Sequence, residues 1–226
     1  MTGRLAGKCV LLTQSDRFMG AITQEVFTAE GATVIADTRD LTVPGACEAA
    51  VAQAGRVDIL VANLAAPTFS GIATTALADE DWQAAFDIMV HPLHRLTRAV
   101  LPQMIARRAG KVVVYGSASA LRGMKTLAAY SAARAAQLGY VQSVGVEVAP
   151  HNVQINLIAQ NYIESKDYYP PELLAKDAFV QSLKRQVPAG RLGTQREDAA
   201  FALFLASDES GFFCGQGIPL AGGWVQ

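Results

Sequence analysis

Short apolar segments rich in β-branched residues alternate with longer helical patterns along nearly the whole chain. Strand-like segments lie at 8–12, 33–36, 57–62, 111–115, 153–158 and 217–220. Helical patterns lie between them, near 18–30, 46–54, 79–108, 128–149 and 195–206. This alternation predicts an α/β fold with a doubly wound parallel sheet between two helical layers, and strands this apolar fit a sheet covered on both faces. No repeat or linker interrupts the pattern, so a single domain spanning 1–226 is expected.

Composition excludes several classes of function. The chain has 226 residues, of which 51% are hydrophobic and 17% charged, as in a compact globular protein. A net charge of −1 gives no reason to expect nucleic acid or a membrane surface as a partner. No apolar run is long enough to cross a membrane or to serve as a signal peptide. The three cysteines are widely spaced, and neither a disulfide framework nor a metal site is expected. A cytoplasmic protein is therefore predicted.

The fold class points to particular segments as binding sites. In a doubly wound sheet, ligands bind at the carboxyl ends of the strands, near the reversal of strand order. Segment 160–175 is rich in proline and aromatic residues and is predicted to be a loop that borders a pocket. The two long helices are rich in alanine and leucine, which suits packing against a second subunit.

One constellation of residues carries the chemistry. Ser117 follows the fourth strand, Tyr130 comes thirteen residues later, and Arg134 lies one helical turn beyond Tyr130. Arginine stays protonated, and a fixed positive charge favours the phenolate form of a nearby tyrosine. Tyr130 is then a candidate general base, and Ser117 a candidate donor to a substrate oxygen. The alternative is ordinary, because a Tyr–Arg pair one turn apart is commonly a surface pair.

These residues, taken with the order of motifs along the chain, resemble the short-chain dehydrogenase/reductase superfamily. The matching segments are VDILVAN with Asn63, DWQAAFDIM, VVVYGSAS, the Tyr130 helix, VQINLIAQNY and GQGIPLAGG. The resemblance covers nearly the whole chain. It implies a Rossmann-like sheet of about seven strands and a homotetramer.

The departures from that superfamily fall where its nicotinamide cofactor binds. Its glycine-rich turn reads TQSDRFMG here, with Phe18 at the place of the middle glycine. Its catalytic lysine is Arg134, and its relay asparagine is Met89. The Pro-Gly pair after its sixth strand is Gln160-Asn161, and a glycine after Asn63-Leu64 is Ala65. One residue favours a cofactor: Asp37 follows the second strand, as an acid that grips an NAD ribose would, although an acid there is also an ordinary cap or turn.

With these departures the chain resembles a smaller group within the superfamily, the halohydrin dehalogenases. Two motifs mark that group, and the chain has both: Thr13-x4-Phe18-x-Gly20 and Ser117-x12-Tyr130-x3-Arg134. The resemblance implies cofactor-independent conversion of a vicinal halohydrin to an epoxide, with release of halide and a proton. It makes Tyr130 the base, assisted by Arg134, with Ser117 on the substrate oxygen. The reverse opening of epoxides by halide, azide, cyanide or nitrite is implied as well.

The resemblance also suggests which residues bind the leaving halide and the substrate. The halide site maps to Phe18 with Gln160, Asn161, Tyr162 and Ile163; Gln160 stands where many relatives have proline. Candidates for the substrate pocket are Ala66, Pro67, Ser119, Leu121, Met124, Leu127, Tyr169 and Trp224. Tyr168 is a further candidate to close the pocket. Trp224 lines its own pocket, reaches a neighbouring subunit or simply anchors the terminus.

Two rival interpretations remain open from the sequence. One is an NAD(P)-dependent oxidoreductase with a degenerate glycine turn, for which Asp37 is the best support. The other is a binding protein that keeps the fold without turnover, which the intact Ser117, Tyr130 and Arg134 set disfavours.

Overall fold

A computed structural model describes residues 3–68 and 70–226 and contains one parallel sheet. Its strands run in the order β2-β1-β3-β4-β5-β6. Their bounds are β1 Cys9–Leu12, β2 Thr33–Ala36, β3 Ile59–Asn63, β4 Gly110–Tyr115, β5 Val153–Gln160 and β6 Gly217–Leu220. All six coincide with predicted strands to within a few residues. The doubly wound α/β prediction is therefore confirmed, with six strands in the described part of the chain where the resemblance implied about seven.

Seven α-helices connect and cover the strands in the described residues. They are α1 Gly20–Ala29, α2 Ala46–Ala54, α3 Asp79–Arg107, α4 Ala128–Val148, α5 Pro171–Leu174, α6 Asp177–Gln186 and α7 Gln195–Ala206. Five of them were predicted from their periodicity. None of these helices is long and apolar enough to cross a membrane.

Helices α5 and α6 correct the sequence prediction. Segment 160–175 was expected to be a loop, yet its last residues form the single turn α5. Helix α6 was not predicted at all. Its apolar stripe is narrow, with Phe179 and Leu183 packing together with Val187 in a small cluster beside the loop. Most of α6 is charged or polar, and its few apolar residues lie on one face.

The period-two alternation of the strands divides the core into two faces. On β4, Val112 and Val114 face one cluster, which includes residues of α2, α3 and α4. Val113 and Tyr115 face the other, which includes residues of α1 and α7. Side chains of successive strand residues point to opposite faces, which produces the three layers of a single domain.

The topology places a binding site at the carboxyl ends of the strands. From β1 the chain goes first to β2 on one side and then to β3 on the other, so the strand order reverses at β1 and β3. The connections leaving these two strands therefore diverge and open a crevice. Residues 13–20 and 64–68 lie beside it, followed by the segments after β4 and β5.

Candidate active site

A cavity of about 220 Å³ opens at this edge of the sheet. It is lined by residues from four strand ends and the loop after β5: Phe18, Thr68, Ser70, Gly116, Ser117, Ser119, Met124, Leu127, Tyr130, Gln160, Asn161, Tyr162, Ile163, Tyr168 and Tyr169. Ser117, Tyr130 and all five residues of the expected halide site are among them. Residues up to 151 positions apart in the chain thus share one small cavity, of the size that suits a small organic molecule.

Ser117 is held by the turn that follows β4. Its backbone is extended and it caps a short 3-10 helix, in which the backbone N–H of Ser119 donates to Ser117 Oγ at 3.2 Å. The Ser117 and Ser119 hydroxyls are also 3.0 Å apart. Since Ser119 Oγ can accept the Ser117 hydroxyl proton or donate its own, the pair presents an oriented hydroxyl to the cavity.

Tyr130 and Arg134 lie on α4, one turn apart, and meet face to face. The guanidinium carbon of Arg134 lies 5.0 Å from the centroid of the Tyr130 ring. Within the described residues no group of the chain hydrogen-bonds the Tyr130 hydroxyl, which leaves that oxygen for a ligand. The Tyr–Arg pair is therefore buried at a cavity and is not a surface pair.

Arg134 is 2% exposed and is held by neutral acceptors. Its Nη1 donates to the carbonyl of Tyr115 at 3.1 Å and to Gln137 Oε1 at 3.0 Å, and its Nη2 donates to the carbonyl of Leu64 at 3.3 Å. Its Nε is buried without a partner. No carboxylate pairs with it among residues 3–68 and 70–226. Within the described residues the charge of this buried guanidinium is therefore not neutralised by a carboxylate, and it lies over the Tyr130 ring.

Three further tyrosines line the cavity. Burial raises the pKa of Tyr168 to about 12, and the Tyr168 hydroxyl donates to the carbonyl of Ala66 at 2.9 Å. Burial also raises the pKa of Tyr169 and of Tyr162 above the usual value of a phenol. These three side chains are therefore kept neutral and serve as walls and hydrogen-bond donors.

The turn after β1 is anchored by Asn63. The Asn63 side-chain amide donates to the carbonyls of Gln14 and Arg17, each at 2.9 Å. Gly20 is required where α1 begins, because a Cβ there would lie 2.3 Å from the carbonyl oxygen of Ser15. Phe18 has φ of 46°, in the left-handed region, and its ring packs edge-on against Tyr168 with centroids 5.1 Å apart.

Three backbone N–H groups of this turn are already used within the protein. The N–H of Ser15 donates to Asp37, that of Arg17 to Gln14 and that of Gly20 to Arg17, in each case to a backbone carbonyl. The Asp37 carboxylate is also engaged, because it pairs with the side chain of Arg39. Asp37 thus pairs with a residue of its own turn, which fits a structural cap better than a site that binds the ribose of NAD.

The segment after β5 forms one wall of the cavity and has unused hydrogen-bond donors. The Asn161 N–H donates to Leu220, and the Tyr162 N–H donates to Asn161 Oδ1 at 2.9 Å, with Tyr162 at φ of 56°. The Ile163 N–H makes no hydrogen bond within the described part of the chain. The Asn161 Nδ2 is buried without a partner. Two N–H groups without partners and the Phe18 ring thus belong to residues that line the cavity.

The predicted substrate pocket is only partly assembled at the cavity. Ser119, Met124, Leu127 and Tyr169 line it, whereas Ala66, Pro67, Leu121 and Trp224 do not. Pro67 and Leu121 are exposed, and Ala66 contributes a carbonyl to Tyr168. Trp224 is buried behind Tyr162, with ring centroids 6.0 Å apart, and Arg122 stacks over it.

Sequence reasoning missed several residues at the site. Thr68, Ser70 and Gly116 line the cavity, and each lies shortly after a strand end, which is the signal that could have identified them. Gln137 was missed too, although it lies three residues after Arg134 and therefore on the same helix face.

Comparisons with known proteins agree with the fold. The family described as enoyl-(acyl carrier protein) reductase matches residues 6–225. The 3-oxoacyl-[acyl-carrier-protein] reductase of Thermotoga maritima is 32% identical, covering 98% of this chain and 99% of that protein. A solved structure described as a dehalogenation enzyme is 34% identical, with a TM-score of 0.89 and full coverage of both chains. A 3-oxoacyl (acyl-carrier-protein) reductase of Agrobacterium tumefaciens, solved with NADP bound, is 27% identical at a TM-score of 0.86, covering 98% of this chain and 95% of that one.

Proposed function

Because the chain belongs to the short-chain dehydrogenase/reductase superfamily but has Phe18 in the turn where a nicotinamide cofactor would bind, we propose that it is a halohydrin dehalogenase. The reaction is cofactor-independent closure of a vicinal halohydrin to an epoxide. One observation carries the proposal: a single small cavity has Ser117 and Tyr130 together with a wall of unused N–H donors. The similarity to a dehalogenation enzyme supports the same conclusion.

The first step of the reaction uses the Tyr130 phenolate. Ser117 and Tyr130 hold the substrate hydroxyl, and its proton passes to the Tyr130 oxygen. The substrate oxygen then attacks the neighbouring carbon from the side opposite the halogen. The new C–O bond closes the epoxide ring while the C–halogen bond breaks and its electron pair leaves with the halide. Since nucleophile and electrophile belong to one molecule, holding them in line supplies much of the rate enhancement.

The leaving halide needs stabilisation as its charge develops. The wall from Gln160 to Ile163 supplies the Ile163 N–H and the Asn161 amide, and the edge of the Phe18 ring is the positive part of its quadrupole. Such a site discriminates against anions mainly by size. Small anions such as azide, cyanide and nitrite are therefore expected to open epoxides in the reverse direction.

A nicotinamide cofactor does not fit the described residues. Three N–H groups of the turn after β1 donate to backbone carbonyls, and Phe18 lines the cavity where a dinucleotide would approach. Asp37 is bound to Arg39. We therefore derive no step through such a cofactor.

The alternative function is NAD(P)-dependent oxidoreduction, which the similarity to 3-oxoacyl-[acyl-carrier-protein] reductases favours. Titration of the protein with NADH and NADPH, followed by the fluorescence of the nucleotide, separates the two functions. The proposal requires no saturable binding at micromolar nucleotide. Micromolar affinity together with reduction of a ketone would replace it by the oxidoreductase assignment.

Asn161→Asp tests the anion site. The substitution keeps the oxygen that accepts from the Tyr162 N–H, but it removes the unpaired amide donor and adds a negative charge. Charge repulsion in a partly buried site should weaken bromide binding at least ~10-fold, as measured by isothermal titration calorimetry. Gln216→Glu adds the same charge at an exposed position away from the cavity and should leave the affinity unchanged. Equal bromide affinity in the wild type and Asn161→Asp would remove Asn161 from the site.

The assembly and the location of the protein remain predictions. Homotetramer formation is implied by the resemblance, and exposed apolar side chains such as Val146 on α4 and Phe212 suit contact with another subunit. The cytoplasmic location stays an expectation from the sequence.

A further inference from the structure

Gln137 links the buried cation of the site to helix α3. It lies on α4, is fully buried, and accepts a hydrogen bond from Arg134 Nη1 at 3.0 Å. Its Nε2 donates to the backbone carbonyl of Met89 on α3 at 2.7 Å. Both ends of the carboxamide are thus paired, and the second bond fixes which end faces Arg134. Turning the amide over would place an N–H against the guanidinium and an oxygen against a carbonyl.

Two consequences follow from the chemistry of this side chain. Gln137 accepts a hydrogen bond from Arg134 and is itself tied to α3 through Met89. Together with the Tyr115 carbonyl, it restricts where the guanidinium can lie relative to the Tyr130 ring. As a neutral acceptor, it binds the guanidinium without cancelling its charge. A carboxylate in the same place would form a buried ion pair with Arg134, and its negative charge would offset the effect of the guanidinium on the ring.

The groups that surround the Tyr130–Arg134 pair come from several packed elements. From the loop after β5, Tyr168 and Tyr169 face Tyr130, and burial keeps both phenols neutral. From α3, Met89 contributes a carbonyl, while Asp87 and His91 pair with each other at 3.5 Å on the exposed side. β4 and the segment after β3 contribute the carbonyls of Tyr115 and Leu64. Gln137 is therefore the one side chain among the described residues that hydrogen-bonds the Arg134 guanidinium.

We propose that Gln137 is a positioning residue, which fixes the guanidinium of Arg134 against the Tyr130 ring and, by being neutral, preserves its charge for the phenolate. This inference rests on the proposed function in one respect: it assigns the Tyr130 phenolate as the base. Gln137 itself does not line the cavity and acts through Arg134.

Two variants separate charge from geometry. Gln137→Glu keeps the shape, adds a carboxylate about where Oε1 lies and, like Gln137→Met, loses the hydrogen bond to the Met89 carbonyl. Gln137→Met keeps the volume and removes both hydrogen bonds. The matched control is Gln142→Glu, which adds the same charge on an exposed face of α4.

The measurement is the ionisation of Tyr130 without substrate, followed by ultraviolet absorbance of phenolate against pH. Each variant is compared with the same variant carrying Tyr130→Phe, so that the difference isolates one of the six tyrosines. We expect Gln137→Glu to move the ionisation midpoint upward by about one to two pH units, the scale of a neighbouring charge. Gln142→Glu should not move it.

The second readout is the pH profile of kcat for halide release. The acidic limb should move upward with the ionisation midpoint in Gln137→Glu. In Gln137→Met the guanidinium is less well placed, and kcat should fall about 10-fold or more with little change in KM. Circular dichroism verifies that each variant is folded. If Gln137→Glu fails to fold, Gln137→Met alone decides through its kcat.

The outcomes keep the two proposals apart. A wild-type midpoint and a wild-type kcat in the folded Gln137 variants would overturn the positioning role, even if halide release is confirmed. A shifted midpoint in a protein that releases no halide would support the link from Gln137 to Tyr130 while contradicting the dehalogenase function.

Discussion

Tyr130→Phe is expected to lower kcat for halide release by at least ~10³-fold, with the protein still folded. The substitution removes only the hydroxyl oxygen, so the ring stays in its cluster with Leu127 and Met89. It also stays under the Arg134 guanidinium, 5.0 Å from the ring centroid. The loss of a positioned base typically costs 10²–10⁴-fold, and the Tyr130 oxygen holds the substrate hydroxyl as well. Chloride release in a stopped assay at neutral pH measures the effect.

Tyr168→Phe is the matched control for that prediction. Tyr168 lines the same cavity, but its hydroxyl donates to the carbonyl of Ala66 and its pKa is raised to about 12. We expect kcat to fall less than ~10-fold, because only a hydrogen bond that shapes the wall is lost. If Tyr168→Phe is the variant that loses activity while Tyr130→Phe retains it, the base has been assigned to the wrong residue.

Asp198→Asn is expected to stabilise the protein by about 2 to 4 kcal/mol at pH 7. Asp198 lies in the first turns of α7, is fully buried, and has no hydrogen-bond partner for either carboxylate oxygen within the described residues. Burial raises its pKa to about 8. Folding at neutral pH must therefore protonate a group that is ionised in the unfolded chain. An asparagine buries a polar group of the same shape without that protonation cost.

The pH dependence of this effect has a definite sign. The pKa of Asp198 is higher in the folded protein, about 8, than in the unfolded chain. The folded state thus binds the proton more tightly, and this contribution is fully present at acidic pH, below about 4, and is lost as pH rises towards 8. The advantage of Asp198→Asn should therefore be near zero at pH 4 and greatest above pH 8.

Urea unfolding at several pH values measures the free energy of unfolding of both proteins. Asp208→Asn is the control, because Asp208 is exposed and should change stability little. A pH-independent difference between the wild type and Asp198→Asn would mean that Asp198 is ionised or solvated in the folded protein.

Much of the fold was predictable because its signals are local. Strands such as β3 are largely apolar runs that are buried on both faces of the sheet, and helices such as α4 have many good helix formers. Helix α6 was not predictable in the same way, since its burial depends on a small cluster with Val187 and Leu192 that forms only after the chain folds back.

At the site, residue identities were easier to predict than their hydrogen bonds. The spacing of Ser117, Tyr130 and Arg134 brought Tyr130 and Arg134 into contact as expected. The partners of Arg134 are mostly backbone carbonyls from two strand ends, and no sequence pattern specifies those. Likewise, no sequence pattern predicts that the Tyr162 N–H donates to Asn161 Oδ1. Tyr162 has a positive φ there, which is uncommon for a tyrosine. Trp224 was a candidate for the pocket, but packing behind Tyr162 placed it outside the cavity.

The most direct test of the central claim is halide release without any nucleotide. The protein, freed of nucleotide by dialysis, is incubated with 1,3-dichloro-2-propanol, and chloride, epoxide and protons are measured together. Parallel reactions contain a panel of bromohydrins, added NADH or NADPH, or the Tyr130→Phe variant. The account predicts chloride, epoxide and protons in equal amounts from the wild type, no effect of nucleotide, and almost no product from Tyr130→Phe. No halide from any of these substrates, or release that requires a nucleotide, would contradict it.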